Sequence, residues 1–370
     1  MSGTTARITA RRVLTGRGMV GPAAVVVDGG RVAAVEPVSG PVEHHVVTPG
    51  FVDLQVNGID DVDVARATGE ADWERLDGLL LAQGTTTWCP TLVSSPLDRY
   101  ARPLERIAEA MQRDGRGRPS IAGVHLEGPF LGERTGAHRA ESVVPIDLDW
   151  IADLAPHVTM MTIGAEQELA PEAAGILARR GVTVSIGHSA ASHDDVIGLI
   201  AAGATMATHL FNAMTGLDHR APGVAASVLS HRTIAASLIA DGVHVHPRML
   251  ELACRLLGPD RTVLVTDSVA WRSGRAGPVR LELRDGAPRL ADGTLAGSSL
   301  RMDRAVAVCV EAGVPLAHAL RAASTVPAGL LGLTDRGVLE PGRRADLVAL
   351  DDTCQAVGTW IGGRLVHAVT

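Results

Sequence analysis

Apolar and polar positions are arranged differently in the middle of this chain and at its two ends. Residues 7 to 49 read as short strands and turns. Ala23-Ala-Val-Val-Val-Asp-Gly-Gly30-Arg-Val-Ala-Ala-Val35 is two β runs around an Asp-Gly-Gly turn, which predicts a hairpin. The last thirty residues look alike, with Ala345-Asp-Leu-Val-Ala-Leu350 followed by Thr359-Trp-Ile-Gly-Gly-Arg-Leu-Val366. Neither end shows a helical period. The two ends are expected to form one small β-sandwich domain, 1–49 with 338–370, since chain termini often lie close together.

Between them the pattern becomes strand, loop, helix, repeated. Eight strand candidates are Phe51–Val56, Thr85–Val93, Gly123–Glu127, Val158–Ala165, Val182–His188, Thr205–Leu210, Ile234–Asp241 and Thr262–Asp267. Amphipathic stretches separate most of them, such as Leu104–Met111 and Pro171–Ala178, and Ser192-His-Asp-Asp195 has capping-box spacing. Eight alternations predict an α/β fold, a (β/α)₈ TIM barrel over 50–337. Residues 271–296 break the rhythm and read as a β-hairpin inserted after the last strand, a lid or a wall of the site.

The barrel gives the polar residues a common address. Reactive groups in such barrels sit at the C-terminal ends of the strands. Glu127, His188 and His209 each end a different apolar run, and so does Asp267 in Val263-Leu-Val-Thr-Asp-Ser268. One carboxylate and two imidazoles can hold a divalent cation and leave a position open for water. Asp267 is the candidate base acting on that water. Zn²⁺ is the default ion for such a set, with Fe²⁺, Mn²⁺ and Co²⁺ also compatible.

Composition narrows the class without choosing the chemistry. Hydrophobic residues make up 46% and charged residues 20% of the 370, an ordinary globular balance. A net charge of −7 with no dense Lys/Arg run argues against a nucleic-acid surface. Four dispersed cysteines without a Cys-x-x-Cys pair fit a reduced, cytoplasmic protein. The first residues, Met1–Arg7, lack an apolar signal core, and no run is long enough to span a membrane. Aromatics are only 2%, so a pocket must be built from His, Arg, backbone amides and aliphatics.

Taken together, these segments resemble the N-acetylglucosamine-6-phosphate deacetylases of the amidohydrolase superfamily. The resemblance rests on Thr48-Pro-Gly-Phe-Val-Asp-Leu-Gln-Val-Asn-Gly58, His125-Leu-Glu-Gly-Pro-Phe130, Gly187-His-Ser189, Thr208-His-Leu-Phe-Asn-Ala-Met214, Ala240-Asp-Gly-Val-His244, Leu295-Ala-Gly-Ser298 and Pro341-Gly-Arg-Arg-Ala-Asp-Leu347. They run in family order over nearly the whole chain. The resemblance implies a metal-bearing barrel flanked by a β-sandwich, a homodimer, and hydrolysis of the acetamido group of N-acetylglucosamine 6-phosphate. Many amidohydrolases carry His-x-His for a second metal where this chain has Gln55-Val-Asn57, and neutral amides are poor ligands for zinc-like ions, so one metal per subunit is expected.

The resemblance also implies substrate contacts: Ala137 and His138 along the sugar, Asn212, Ala213 and Arg220 toward the phosphate, and Leu295, Ala296 and Gly297 closing over it. In the family the arginine and a histidine matching His244 reach the neighbouring subunit's site. The chain departs from the usual pattern at Ala221, where a Glu is common, and at Ala165-Glu-Gln, where Ala-Pro-Glu is common. Two other functions stay open at this stage: hydrolysis of another N-acyl amino sugar phosphate or N-acyl amine, and a non-catalytic barrel scaffold.

Overall fold

The computed structural model describes residues 5–113, 117–277 and 279–369. The first four residues of the N-terminal segment discussed above, and residue 370 of the C-terminal one, lie outside the described residues.

Both ends of the chain enter one eight-stranded sheet. The N-terminal part supplies β1 (Ala6–Thr15), β2 (Gly18–Val20), β3 (Ala23–Asp28), β4 (Arg31–Pro37) and β5 (His44–Pro49). The β3–β4 hairpin turns at Gly29 and Gly30, both at positive φ, as the Asp-Gly-Gly signal predicts. Its inner face carries Val25, Val27, Val47, Leu347 and Trp360 in a cluster separate from the main core. This is a mostly-sheet domain built from both termini.

The central chain forms eight parallel strands in sequence order. They are β6 (Phe51–Val56), β7 (Thr85–Val93), β8 (Val124–Glu127), β9 (Val158–Ile163), β10 (Thr183–Ile186), β11 (Ala204–Ala207), β12 (Ala235–Leu238) and β13 (Thr262–Leu264). The ring closes where the segment after β13 returns to β6. Asp267 N–H donates to Gln55 O at 3.0 Å and Asn57 N–H to Ser268 O at 2.9 Å. Helices pack outside by the periodicity that predicts them: Ala101–Met111 buries Leu104, Ile107 and Ala110, and His193–Ala202 starts with a complete Ser192/Asp195 capping box.

The first two barrel strands match their expected bounds. Most later ones stop short of them, and for three of them the reason is local. His188, His209 and Asp267 have positive φ (50°, 32° and 47°) and so leave the strand conformation. Each strand ends before its polar residue, and the turn carries that side chain to the barrel mouth.

Under the mouth the barrel interior is polar. His125 Nε2 meets Thr162 Oγ1 at 2.8 Å, which meets Thr208 Oγ1 at 2.7 Å, which meets Ser185 Oγ at 2.6 Å. All four are fully buried, and each finds a partner, as buried polar groups must. Burial holds the His125 imidazole down to about 4, so it is neutral.

After β13 two small hairpins follow, Arg275–Ala276 with Val279–Arg280 and then β14 (Glu282–Arg284) with β15 (Ala287–Arg289). They pack through Ala276 and Leu281 on Val269 and Ala296. The chain then re-enters the terminal sheet as β16 (Leu347–Leu350), β17 (Ala356–Ile361) and β18 (Arg364–Ala368), giving the order β18-β17-β16-β5-β1-β3-β4 with β2 on β1. Among the described residues, no helix is long and apolar enough to cross a membrane. The four cysteines are buried and free.

Candidate active site

Four strand ends bring their polar residues to one cavity of about 290 Å³. Glu127 Oε1 lies 2.8 Å from His209 Nε2 and 3.1 Å from His188 Nε2, and the two nitrogens are 3.1 Å apart. Ligands on one tetrahedral zinc-like ion, with bonds of about 2.0–2.1 Å, sit roughly 3.3 Å from each other. The donor set therefore fits a single divalent cation, as expected of a metal-dependent superfamily. His188 supports the fit from behind: its Nδ1–H donates to Arg134 O and Thr135 O, both at 3.1 Å, which leaves the Nε2 lone pair facing the cluster. His209 is fixed differently, by its backbone N–H donating to Ser237 Oγ at 2.7 Å.

A second grouping overlaps the first. Ligand atoms of Glu127, His138 and His188 also lie within 4.8 Å of one another. The tighter trio with His209 is the better cage, for a reason of tautomer. Ser94 N–H donates to His138 Nδ1 at 3.3 Å, so the proton of the neutral ring is on Nε2. That nitrogen is 3.8 Å from Glu127 Oε2 and acts as a donor, not as a metal ligand. Burial first, and the neighbouring His188 ring second, push the His138 imidazole down to about 3, which keeps it neutral.

The two carboxylates sit in opposite electrostatic settings. Burial pushes Glu127 up, but the imidazoles of His188 and His209, 3.1 and 2.8 Å from its Oε1, outweigh burial and hold it well below the usual carboxylate range. Asp267 is pushed well above that range, by burial first and by the charge of Glu127 second. A positive charge at the trio would oppose both causes. Asn57 Nδ2–H donates to Asp267 Oδ1 at 2.7 Å, and Gln55 Nε2–H to Glu127 Oε1 at 3.0 Å. The residues that replace His-x-His thus act as donors to the carboxylates.

The Asn57 bond occupies one oxygen of Asp267 and leaves Oδ2 for exchange with a ligand. Asn57→Ala is expected to lower turnover about 10- to 100-fold with metal content unchanged, because a hydrogen bond to a charged group contributes roughly 1.5–3 kcal/mol. Steady-state kinetics beside metal analysis check this. A variant with unaltered kcat removes Asn57 from the account.

The substrate contacts expected from sequence divide. Ala137, His138, Asn212 and Ala213 line the cavity, and so do His244, Leu295, Ala296 and Gly297. Gly297 has φ +64°, and a Cβ there would strike Val269 and the Asp267 carbonyl, so the closing segment lies directly against the Asp267 turn. His244 lines the cavity of its own chain, its Nδ1–H held by Asp241 Oδ2 at 2.6 Å. Arg220 is exposed and is not among the residues lining the cavity, its loop held by Asp218.

Ser94, which fixes the His138 tautomer, has no place in the sequence reading, and Glu166, which ties together the loops around His188, enters it only within a departure from the family pattern. Both follow the C-terminal end of a barrel strand, Ser94 after β7 and Glu166 after β9. The strand-end rule that found the ligands also marks these two positions.

Comparison with known proteins agrees with this geometry. Residues 46–366 match the model of the amidohydrolase family. The chain is 35% identical to N-acetylgalactosamine-6-phosphate deacetylase of Escherichia coli O157:H7, over 97% of this chain and 98% of that protein. It is 36% identical to N-acetylglucosamine-6-phosphate deacetylase of Danio rerio, over 88% and 85% of the two. The structure of a mutant of the Mycobacterium smegmatis N-acetyl-D-glucosamine-6-phosphate deacetylase in complex with N-acetyl-D-glucosamine-6-phosphate superposes with a TM-score of 0.91 at 32% identity, covering 98% of this chain and 100% of that one. The chain belongs to the N-acetylglucosamine-6-phosphate deacetylase family of the amidohydrolase superfamily.

Proposed function

We propose that this protein hydrolyses the acetamido bond of N-acetylglucosamine 6-phosphate, giving glucosamine 6-phosphate and acetate. One observation carries the reading: Glu127 Oε1, His188 Nε2 and His209 Nε2 meet within 3.1 Å in the cavity that Asp267 lines. In this reading residues 50–337 are the catalytic barrel, with 271–296 inserted as one wall, and 1–49 with 338–370 are its flanking domain.

Glu127, His188 and His209 would hold one divalent cation, Zn²⁺ by the chemistry of the donors. When bound, it supplies an acidified water and polarises an acyl oxygen. The chain's own groups do the rest. Asp267 Oδ2 takes a proton as the water oxygen bonds to the acyl carbon. His138 Nε2–H faces the charge that develops on the acyl oxygen, the arrangement of an oxyanion donor. As the C–N bond breaks, Asp267 returns the proton to the amine nitrogen and acetate leaves. Leu295, Ala296 and Gly297 cover the sugar and exclude bulk water.

For the phosphate, Asn212 and Ala213 offer backbone amides. Arg220 lies outside its own chain's cavity. That placement suits a homodimer in which Arg220 serves the neighbouring subunit's site. Buried free cysteines suit a reducing compartment such as the cytoplasm.

Acetate release from N-acetylglucosamine 6-phosphate, N-acetylgalactosamine 6-phosphate and unphosphorylated N-acetylglucosamine tests the proposal. The zinc-loaded protein is expected to prefer the first, and Arg220→Ala to raise KM for phosphorylated substrates alone. The E. coli relative, named for the galactosamine substrate and matching almost the whole chain, favours the second sugar as the alternative reading. Release from neither sugar phosphate sinks the proposal.

A further inference from the structure

We infer that Glu166 is a positioning residue for His188: its carboxylate ties the loop that carries His188 to the loop whose carbonyls hold the His188 ring. The inference rests on the metal-site reading proposed above and adds a residue to it.

Glu166 lies just past β9, between the two loops. Its Oε1 accepts Ala190 N–H at 2.6 Å and Glu133 N–H at 3.0 Å, and its Oε2 accepts Ser189 Oγ–H at 2.5 Å. Ser189 and Ala190 directly follow His188. Glu133 directly precedes Arg134 and Thr135, whose carbonyls accept His188 Nδ1–H. Gly132 N–H closes the ring of contacts by donating to His188 O at 2.9 Å. So the backbone of His188 is fixed on one side and its imidazole on the other, with the same carboxylate anchoring both.

The packing leaves no slack. A Cβ on Gly132 would strike the Glu166 carboxylate, and one on Gly164 would strike the Gly132 backbone. A carboxylate with three short donors is well matched, and charge-assisted bonds of this kind are roughly twice as strong as neutral ones. Removing it strands Glu133 N–H, Ala190 N–H and Ser189 Oγ–H together. The two carbonyls that set the His188 tautomer then lose their anchor, while every metal-binding atom stays in the chain. Partners that orient a ligand histidine in this way typically change metal affinity 10- to 100-fold.

The experiment is zinc affinity by chelator competition on the full chain, with the thermal midpoint of the metal-free protein measured beside it. Glu166→Ala is expected to weaken zinc about 10- to 100-fold, with the metal-free protein lowered in midpoint but still folded and kcat recovering in excess zinc. Glu166→Gln keeps an acceptor for both backbone amides, so it is expected to fall between wild type and Glu166→Ala. Ser189→Ala removes the Oε2 bond, together with the Ala191 N–H bond to Ser189 Oγ, and is expected to weaken zinc slightly.

Unchanged zinc affinity in folded Glu166→Ala overturns the inference and leaves the proposed function standing. If Glu166→Ala does not fold, the other two variants decide, and wild-type zinc affinity in both of them overturns it. A wild-type protein that binds no divalent cation overturns the proposed function, and this inference with it.

Discussion

Replacing Asp267 with asparagine is expected to lower kcat for acetate release by at least about 10³-fold while leaving the zinc content intact. General acid–base catalysis contributes 10² to 10⁴ per group, and Asp267 serves twice, as base toward water and as acid toward the leaving amine. A loss of 10³ corresponds to about 4 kcal/mol of transition-state stabilisation. The asparagine is nearly isosteric and can still accept the Asn57 hydrogen bond, so the change removes proton transfer with little disturbance of shape. Asp267 is not a member of the trio, so metal should stay. Loss of both activity and metal would reassign Asp267 as a ligand; retained activity would place the base elsewhere.

His209→Ala is expected to abolish both zinc binding and acetate release. Glu127 Oε1 sits between two imidazole nitrogens, and removing either takes away one of the three groups set around that buried oxygen, Gln55 Nε2 being the third. Treating the wild type with a chelator is expected to do the same reversibly, with zinc restoring activity. A stability measurement separates this from general damage. Zinc at a thousandfold its Kd should stabilise the wild type by about 4 kcal/mol and the variant not at all. A His209→Ala protein that still gains stability from zinc would show that the ion is held by other groups, with His138 the first to examine.

Much of this is legible in the amino-acid sequence. The alternation of apolar runs and amphipathic stretches announced the barrel, and β6 and β7 end where the pattern said they would. Glu127, His188, His209 and Asp267 were readable because each closes an apolar run, and one geometric rule sends all such ends to one mouth. What was not legible has a physical reason in each case. Strand β10 stops at Ile186 and β13 at Leu264, because His188 and Asp267 adopt left-handed backbone angles that no apolar pattern encodes. Gln55 and Asn57 read from sequence as neutral amides in place of ligands, whereas their contribution as donors depends on distances of 3.0 and 2.7 Å that spacing cannot supply. Glu166 reads from sequence as a departure from a motif. Its importance lies in three partners that come from two other loops.

The strand that completes the ring is held to the first strand by the backbone of Asp267 and Asn57, the same two residues whose side chains share the working hydrogen bond. Architecture and reactivity therefore converge on a single seam. A molecule that breathes open there slows before it loses its shape, its seven other strand junctions still zipped.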